Sequence, residues 1–352
     1  MEENPVRPPA QPSGNSASPN SGGGRQALWA LIGVAVGLLL PVIGCGLLFT
    51  MVTLAASAGS LAAGGAAPST PRIQPVHVRG PLAGPAVAIV EINGPIVNGR
   101  ASSTTFNQVA AAEDILEMLD HARRDPEVKA VVLHINSPGG GVVASDRIYQ
   151  ALQTLHKPIV VVMEDVAASG GYYIAAGADY IFANPHTLTG SIGVISTFPE
   201  AKELFDKLGI HFTVIKSGEA KDFGSPYRPM TPEERAYWEQ IIQEAYDGFV
   251  QIVAQGRGMS EEEVRALADG RVYTGQQAVK LGLVDELGYL DDGIAKAAHL
   301  GGIEDVPRVI RYRRTSTFLD LLMSSQSRAS FLGLPTALNA WLAPALEYRW
   351  VP

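Results

Sequence analysis

Ser169 lies in the run Val166-Ala167-Ala168-Ser169-Gly170-Gly171-Tyr172-Tyr173, and farther along the turn Lys216-Ser217-Gly218-Glu219-Ala220-Lys221-Asp222 supplies two lysines. A hydroxyl becomes a nucleophile only when a base takes its proton, and the small neighbours of Ser169 leave room for a carbonyl to approach. Ala167-x-Ser169-x-Gly171 is a small-residue relative of the Gly-x-Ser-x-Gly nucleophile elbow, in which the amide of Gly170 becomes an oxyanion donor. The same serine would serve equally as the N-cap of a helix running to Ala176.

A second turn, Asn136-Ser137-Pro138-Gly139-Gly140-Gly141, ends an apolar strand and precedes a helical pattern. Its glycines allow a sharp turn with consecutive N–H groups exposed, which suits a phosphate or a tetrahedral oxyanion. A phosphate loop would continue with Gly-Lys-Ser/Thr, whereas Val142 and Val143 stand there, so the oxyanion reading gains. Candidate bases are Lys216 and Lys221, with His186 and His211 as rivals that lack an orienting carboxylate pattern. A lysine acting as base must be neutral, which requires a pKa near 7 to 8, roughly three units below its reference, or about 4 kcal/mol of environmental bias. Asp222 would oppose that bias if it faced Lys221, so its side chain is expected to point away. Ser191, in Leu188-Thr189-Gly190-Ser191-Ile192-Gly193-Val194-Ile195, is either a strand-edge serine or a second hydroxyl that holds the lysine amine in line.

Alternating β and α elements must position these groups. Strands are predicted at Ala86–Ile92, Ala130–Ile135, Pro158–Met163, Tyr180–Ala183, Ile192–Ile195 and His211–Ile215. Between them fall helices, the first opened by a capping box at Thr105-x-x-Gln108, the next over Val143–Leu155, and another over Glu200–Leu208. Thr231, Ser260 and Thr274 each open a later helix with a capping pattern. This order implies an α/β layered fold with largely parallel pairing and no internal duplication.

Residues 1–25 are dominated by Pro, Ser, Asn and Gly and read as a disordered polar tail. Residues 26–56 carry no ionisable side chain apart from Cys45 and are dense in Leu, Val, Ile and Ala, the pattern of one transmembrane helix; a cleaved signal peptide is the rival. Arg25 against the apolar run points to a cytoplasmic amino terminus and an extracytoplasmic body. Residues 57–84 form a Gly/Pro/Ser-rich linker, and the basic, aromatic stretch 301–352 reads as an extension that touches lipid headgroups or packs on a neighbouring subunit. The charges before residue 57 cancel, so the net charge of −8 belongs to the body, which argues against nucleic acid as a partner. Cys45 stands alone, so no disulfide forms within the chain. No His-Glu-x-x-His or paired-cysteine pattern occurs, and His134, between Leu133 and Ile135, reads as a core histidine, so neither metal nor other cofactor is expected.

Taken together, the motifs at Asn136–Gly141, Ala168–Tyr173, Leu188–Ile195, Lys216–Asp222 and Asp269-Gly270-Arg271-Val272-Tyr273-x-Gly275 resemble those of the signal peptide peptidase SppA family, membrane-anchored Ser-Lys peptidases. The resemblance implies a Clp protease/crotonase-like layered fold over a peptidase domain at 85–300, preceded by the membrane helix. It further implies Ser169 as nucleophile, Lys221 as general base, Ser191 as the hydroxyl orienting that lysine, and Gly139, Gly140 and Gly170 as oxyanion donors. The implied activity is endoproteolysis of signal peptides left in the membrane. The single-copy, short form implies a homo-oligomeric ring in which serine and lysine meet across subunits. A non-catalytic peptide-binding scaffold and a crotonase-type acyl-CoA enzyme are the alternatives from other classes.

Overall fold

The structure, a computed structural model, describes residues 73–101, 109–314 and 347–349. The expected tail and membrane helix, the capping box at Thr105 and most of the carboxyl-terminal extension lie outside these residues. Among the described residues no helix is long and apolar enough to cross a membrane.

The frame is a mainly parallel sheet. Its strands are β1 (Ile73–Arg79), β2 (Ala86–Asn93), β5 (Val128–Ser137), β7 (Ile159–Ala168), β8 (Tyr180–Ala183), β9 (Leu188–Gly190), β10 (Val272–Thr274), β11 (Glu286–Leu287) and β12 (Arg308–Arg314). They run in the order β1-β12-β2-β5-β7-β8-β11, with β9 on β7 and β10 on β9. Only the β1–β12 and β9–β10 pairs of this sheet are antiparallel. A smaller sheet stands beside it, in the order β13-β6-β3-β4, built from β3 (Ile96–Val97), β4 (Ala110–Ala111), β6 (Gly139–Gly141) and β13 (Glu347–Arg349).

Period-two alternation explains why the central strands are buried on both faces. In β5, Val131, Leu133 and Ile135 join the core on one side of the sheet while Ala130 and Val132 join the core on the other. The same division holds for β2 and β7, so these strands read as continuous apolar runs. The first core is covered by α1 (Ala112–Arg124), α2 (Val142–Gln153), α3 (Gly170–Ala175) and α5 (Pro232–Arg257); the second by α8 (Leu290–Leu300). The remaining helices are α4 (Lys202–Lys207), α6 (Glu261–Leu267) and α7 (Gly275–Lys280). Capping boxes at Thr231, Ser260 and Thr274 open α5, α6 and α7 as the sequence predicts.

Four expectations are corrected. The strand expected at Ile192–Ile195 is displaced to β9, because Ser191 takes a positive φ of 49° and ends the ladder with β7. His211–Ile215 forms no strand; the segment is exposed, with Ile215 at 95%, and finds no partner strand among the described residues. Within the expected linker 57–84, residues 73–79 are strand β1, paired with β12. The sheet therefore extends past both ends of the expected domain 85–300, since β12 inserts between β1 and β2. Its arginines had suggested a basic tail, yet Val309, Ile310 and Tyr312 are buried while Arg308 and Arg311 reach Glu127 and Glu91, each at 3.0 Å.

Candidate active site

Strand β7 delivers Ser169 to the carboxyl edge of the sheet. There Ser169 has φ 54° and ψ −114°, its N–H donates to Gly190 O at 2.8 Å, and its side chain makes no capping bond to α3. The N-cap reading is thereby removed. A positive φ is uncommon for a non-glycine residue and costs on the order of 1–3 kcal/mol, which the paired strands on either side sustain. The residue is 1% exposed in the chain as folded.

The glycine turn crosses directly in front of it. Gly139 has φ +94°, and a β-carbon there would lie 2.6 Å from Gly170 N and 3.0 Å from Ala168 O. One on Gly170 would lie 2.5 Å from the Ser145 hydroxyl and 3.2 Å from Gly140 N, and one on Gly140 would collide with Ile96 O. Glycine is therefore required by crowding, and the crowding gathers the backbone of residues 139, 140 and 170 around one point. Ser137 fixes the turn from beneath, its hydroxyl donating to Gly94 O at 2.7 Å and accepting from Gly139 N at 3.1 Å. Because the Gly139 N–H is engaged by Ser137, the amides of Gly140 and Gly170 are the two of the three expected donors that are left to stabilise an oxyanion.

Ser191 shares with Ser169 a cavity of about 430 Å³, lined also by Val194, Tyr246, Asp269 and Arg349. It too has a positive φ, and its N–H donates to Arg271 O at 2.8 Å. The turn Asp269-Gly270-Arg271 is therefore the mount for Ser191. Asp269 holds this turn by accepting from Arg271 N at 3.1 Å, and the adjacent guanidinium keeps its carboxyl below the usual range.

Neither lysine of the 216–222 turn lines that cavity. Lys216 is engaged by the Glu219 carboxylate at 2.9 Å and Asp222 at 3.0 Å, which raise its pKa and make it a poor base. Lys221 sits in a 3-10 turn, Glu219–Asp222, exposed, with no ion pair among the described residues. Asp222 faces elsewhere, accepting from Arg228 at 2.9 and 3.0 Å and from Lys216, and these cations hold its carboxyl far below the usual range. The single chain thus brings together Ser169, Ser191 and the three glycines, and Lys221 does not line their cavity. No histidine replaces it: His186 lines a separate cavity with His134 and Glu164, and the His211 side chain is 79% exposed. His134 is buried at 2.9 Å from Glu164, and burial lowers its pKa.

Tyr348 and Arg349 were not read from the sequence as neighbours of Ser169. They reach it through β13, which pairs antiparallel with the glycine strand β6. Nothing local marks three residues in a mostly aromatic and apolar stretch as a strand; the pairing partner is two hundred residues away, beyond any periodicity.

Two family profiles match the chain, peptidase family S49 over residues 151–304 and Clp protease over residues 101–189. A Methanocaldococcus jannaschii protein named "Putative protease" is 43% identical over 199 residues, 56% of this chain and 64% of that one. The Enterococcus faecium protein named "Putative signal peptide peptidase SppA" is 39% identical over 65% of this chain and 67% of its own length. "Protease 4" of Salmonella typhi is 36% identical over 75% of this chain, which spans 42% of that longer protein.

Proposed function

We propose that this chain, which belongs to peptidase family S49, is a serine endopeptidase that uses Ser169 as nucleophile and Lys221 of a neighbouring copy as general base. The observation that carries the proposal is the backbone of Ser169, held at φ 54° with residues 139, 140 and 170 crowded around it. In the proposed reaction the hydroxyl attacks a peptide carbonyl and the neutral amine of Lys221 takes its proton. The amides of Gly140 and Gly170 receive the oxyanion. The protonated lysine then delivers its proton to the leaving amine, and water hydrolyses the acyl-enzyme with the lysine again as base. Ser191 orients the lysine. Lys221 is exposed and does not line the Ser169 cavity, which favours a lysine supplied between copies, in a ring.

Residues 26–56 anchor the chain in the membrane in this proposal, with the amino terminus cytoplasmic and the body outside, so that signal peptides and other membrane-released peptides are within reach. The experiment is hydrolysis of a fluorogenic signal-peptide substrate by the full chain. Ser169→Ala and Lys221→Ala should each lower kcat/KM by at least about a thousandfold. Full activity in either variant would overturn the mechanism. Covalent labelling of Ser169 by an acylating probe separates a peptidase from a peptide-binding scaffold, which has no activated hydroxyl. Accessibility of Lys221 to an impermeant amine reagent on intact cells tests the orientation.

A further inference from the structure

Helix α2 starts directly after the glycine strand β6, and Ser145 closes its first turn. The residue is 0% exposed, and its hydroxyl has no hydrogen-bond partner among the described residues. A serine at this place in a helix ordinarily bonds back to the carbonyl three or four residues earlier, here that of Val142 or Gly141, and Ser145 does neither. A buried hydroxyl left unpaired destabilises the fold, whereas alanine would fill the same space without that penalty and with better helix propensity. Packing therefore gives no reason for the hydroxyl.

Its surroundings do. The point where Gly170 would carry a β-carbon lies 2.5 Å from Ser145 Oγ, 3.2 Å from Gly140 N and 3.0 Å from the carbonyl oxygen of Tyr348. One small space beside Gly170 is thus bordered by the hydroxyl, by an amide assigned to the oxyanion and by a peptide carbonyl. Ser137 already engages the Gly139 N–H, so the expected trio of donors is one short. The amino end of α2 adjoins the same space. Its N-cap, Gly141, offers no side-chain cap and its first turn holds no acidic residue, so the positive end of the helix dipole is open to an anion. This turn is also held still. The carboxylate of Asp146, one residue on, is occupied by the Tyr173 hydroxyl of α3 at 3.0 Å, and Arg147 reaches Glu113 at 2.6 Å.

We propose that the Ser145 hydroxyl is a third oxyanion donor, joining the amides of Gly140 and Gly170 once the substrate carbonyl becomes tetrahedral. The proposal rests on the serine-peptidase reading. In the step, Ser169 Oγ bonds to the carbonyl carbon, the π pair moves onto the carbonyl oxygen, and Lys221 takes the serine proton. The charged oxygen accepts from the two amides and from the Ser145 hydroxyl, which keeps its own proton throughout. Collapse restores the C=O bond, and the leaving amine departs with the proton from the lysine. Because the hydroxyl has no partner in the resting chain, its bond is gained in the transition state and lowers the barrier rather than tightening ground-state binding.

The test is Ser145→Ala in the full chain, assayed with the fluorogenic signal-peptide substrate. kcat should fall about a hundredfold with KM within about twofold of wild type. The pH-rate profile should keep its shape, since no proton leaves Ser145. Inhibition by a peptide aldehyde, whose adduct with Ser169 places an oxygen at the same point, should weaken in parallel with kcat/KM. The melting temperature should be no lower than that of wild type, because an unpaired hydroxyl has been removed. Ser145→Cys keeps a weak donor of similar shape and should lower kcat about tenfold; it carries the test alone should the alanine variant not fold. A kcat within about twofold of wild type in either variant, with Ser169→Ala inert, overturns the proposal and leaves the peptidase reading standing. A lowered melting temperature with aldehyde inhibition unchanged makes Ser145 a packing residue and overturns it as well. Activity retained in Ser169→Ala removes both.

Discussion

At Ser169 the backbone rather than the side chain separates a nucleophile from a helix cap. Both readings fit the same residue in the same sequence, and only φ 54° with ψ −114° and no capping bond distinguishes them. That torsion comes from long-range pairing, since Ser169 N donates to Gly190 O and the following helix begins at once. No local propensity encodes it, whereas the small residues flanking the serine were legible because crowding demands them. The crowding yields a sharp prediction for Gly170→Ala. Its β-carbon would lie 2.5 Å from the buried hydroxyl of Ser145, which has no hydrogen-bond partner among the described residues, and 3.2 Å from Gly140 N. In the proposed mechanism the methyl displaces the amides assigned to the oxyanion, so kcat should fall by about 10²–10³ while far-UV circular dichroism remains that of wild type. Ser191→Ala should leave the fold intact and lower kcat with a shift in the pH-rate profile, the outcome expected if Ser191 positions the proposed base. An unchanged profile would make Ser191 a strand-edge residue.

Among the elements, the turn bearing Lys221 is held by ion pairs more than by a core. Arg228 bridges Asp222 and Glu234, at 2.9 and 2.6 Å, and Lys216 adds to Asp222. Arg228→Met should therefore loosen residues 216–230 to hydrogen exchange and lower activity, with the main sheet still protected. Arg228 first, and for Asp222 Lys216 after it, hold the Asp222 and Glu234 carboxyls below their ordinary range. A carboxylate with a lowered folded pKa stabilises the fold fully above its unfolded pKa and loses that contribution as the pH falls through the folded value. Exchange protection in this turn, corrected for intrinsic rates, should stay level from neutral pH down to about pH 5 and decline below about pH 4. Decline on raising the pH through neutrality would refute the assignment. These elements also show where sequence reading stops. Capping boxes at Thr231, Ser260 and Thr274 were legible because the cap and its partner are three residues apart. Residues 211–215 look like a strand by composition, yet a strand needs a neighbour, and none of the described residues pairs with them.

For the whole molecule, the segment around α4 has the surface of something unfinished. Helix α4 buries none of its residues, and Leu204, Leu208 and Ile215 are 57%, 62% and 95% exposed. Apolar side chains displayed together on the segment that also carries Lys221 suit contact with a second copy. Mixing Ser169→Ala with Lys221→Ala tests this directly, since each variant alone should be inert in the proposed mechanism. Random mixed rings in equal proportion should regain about a quarter of wild-type activity, one half for an intact serine times one half for an intact neighbouring lysine. No recovery after subunit exchange would place both groups in one chain. The core makes a separate prediction: Leu133, fully buried in β5, should cost about 2–5 kcal/mol on truncation to alanine, read from chemical denaturation of the full chain.

The insertion of β12 between β1 and β2 has a consequence for how the protein is made. Strands that open the domain are held by one that enters near its end, with Ile73 opposite Arg314 and Ala86 opposite Arg308. Such contacts have nearly the largest sequence separation the domain allows, so their closure is slow and late. A ribosome that has delivered Ser169, Ser191 and Lys221 has not yet delivered the strand that seals the sheet edge. Synthesis order therefore keeps the domain unfinished until the three proposed site residues are long out of the tunnel, and a chain broken off before residue 308 should be cleared by proteases rather than become one.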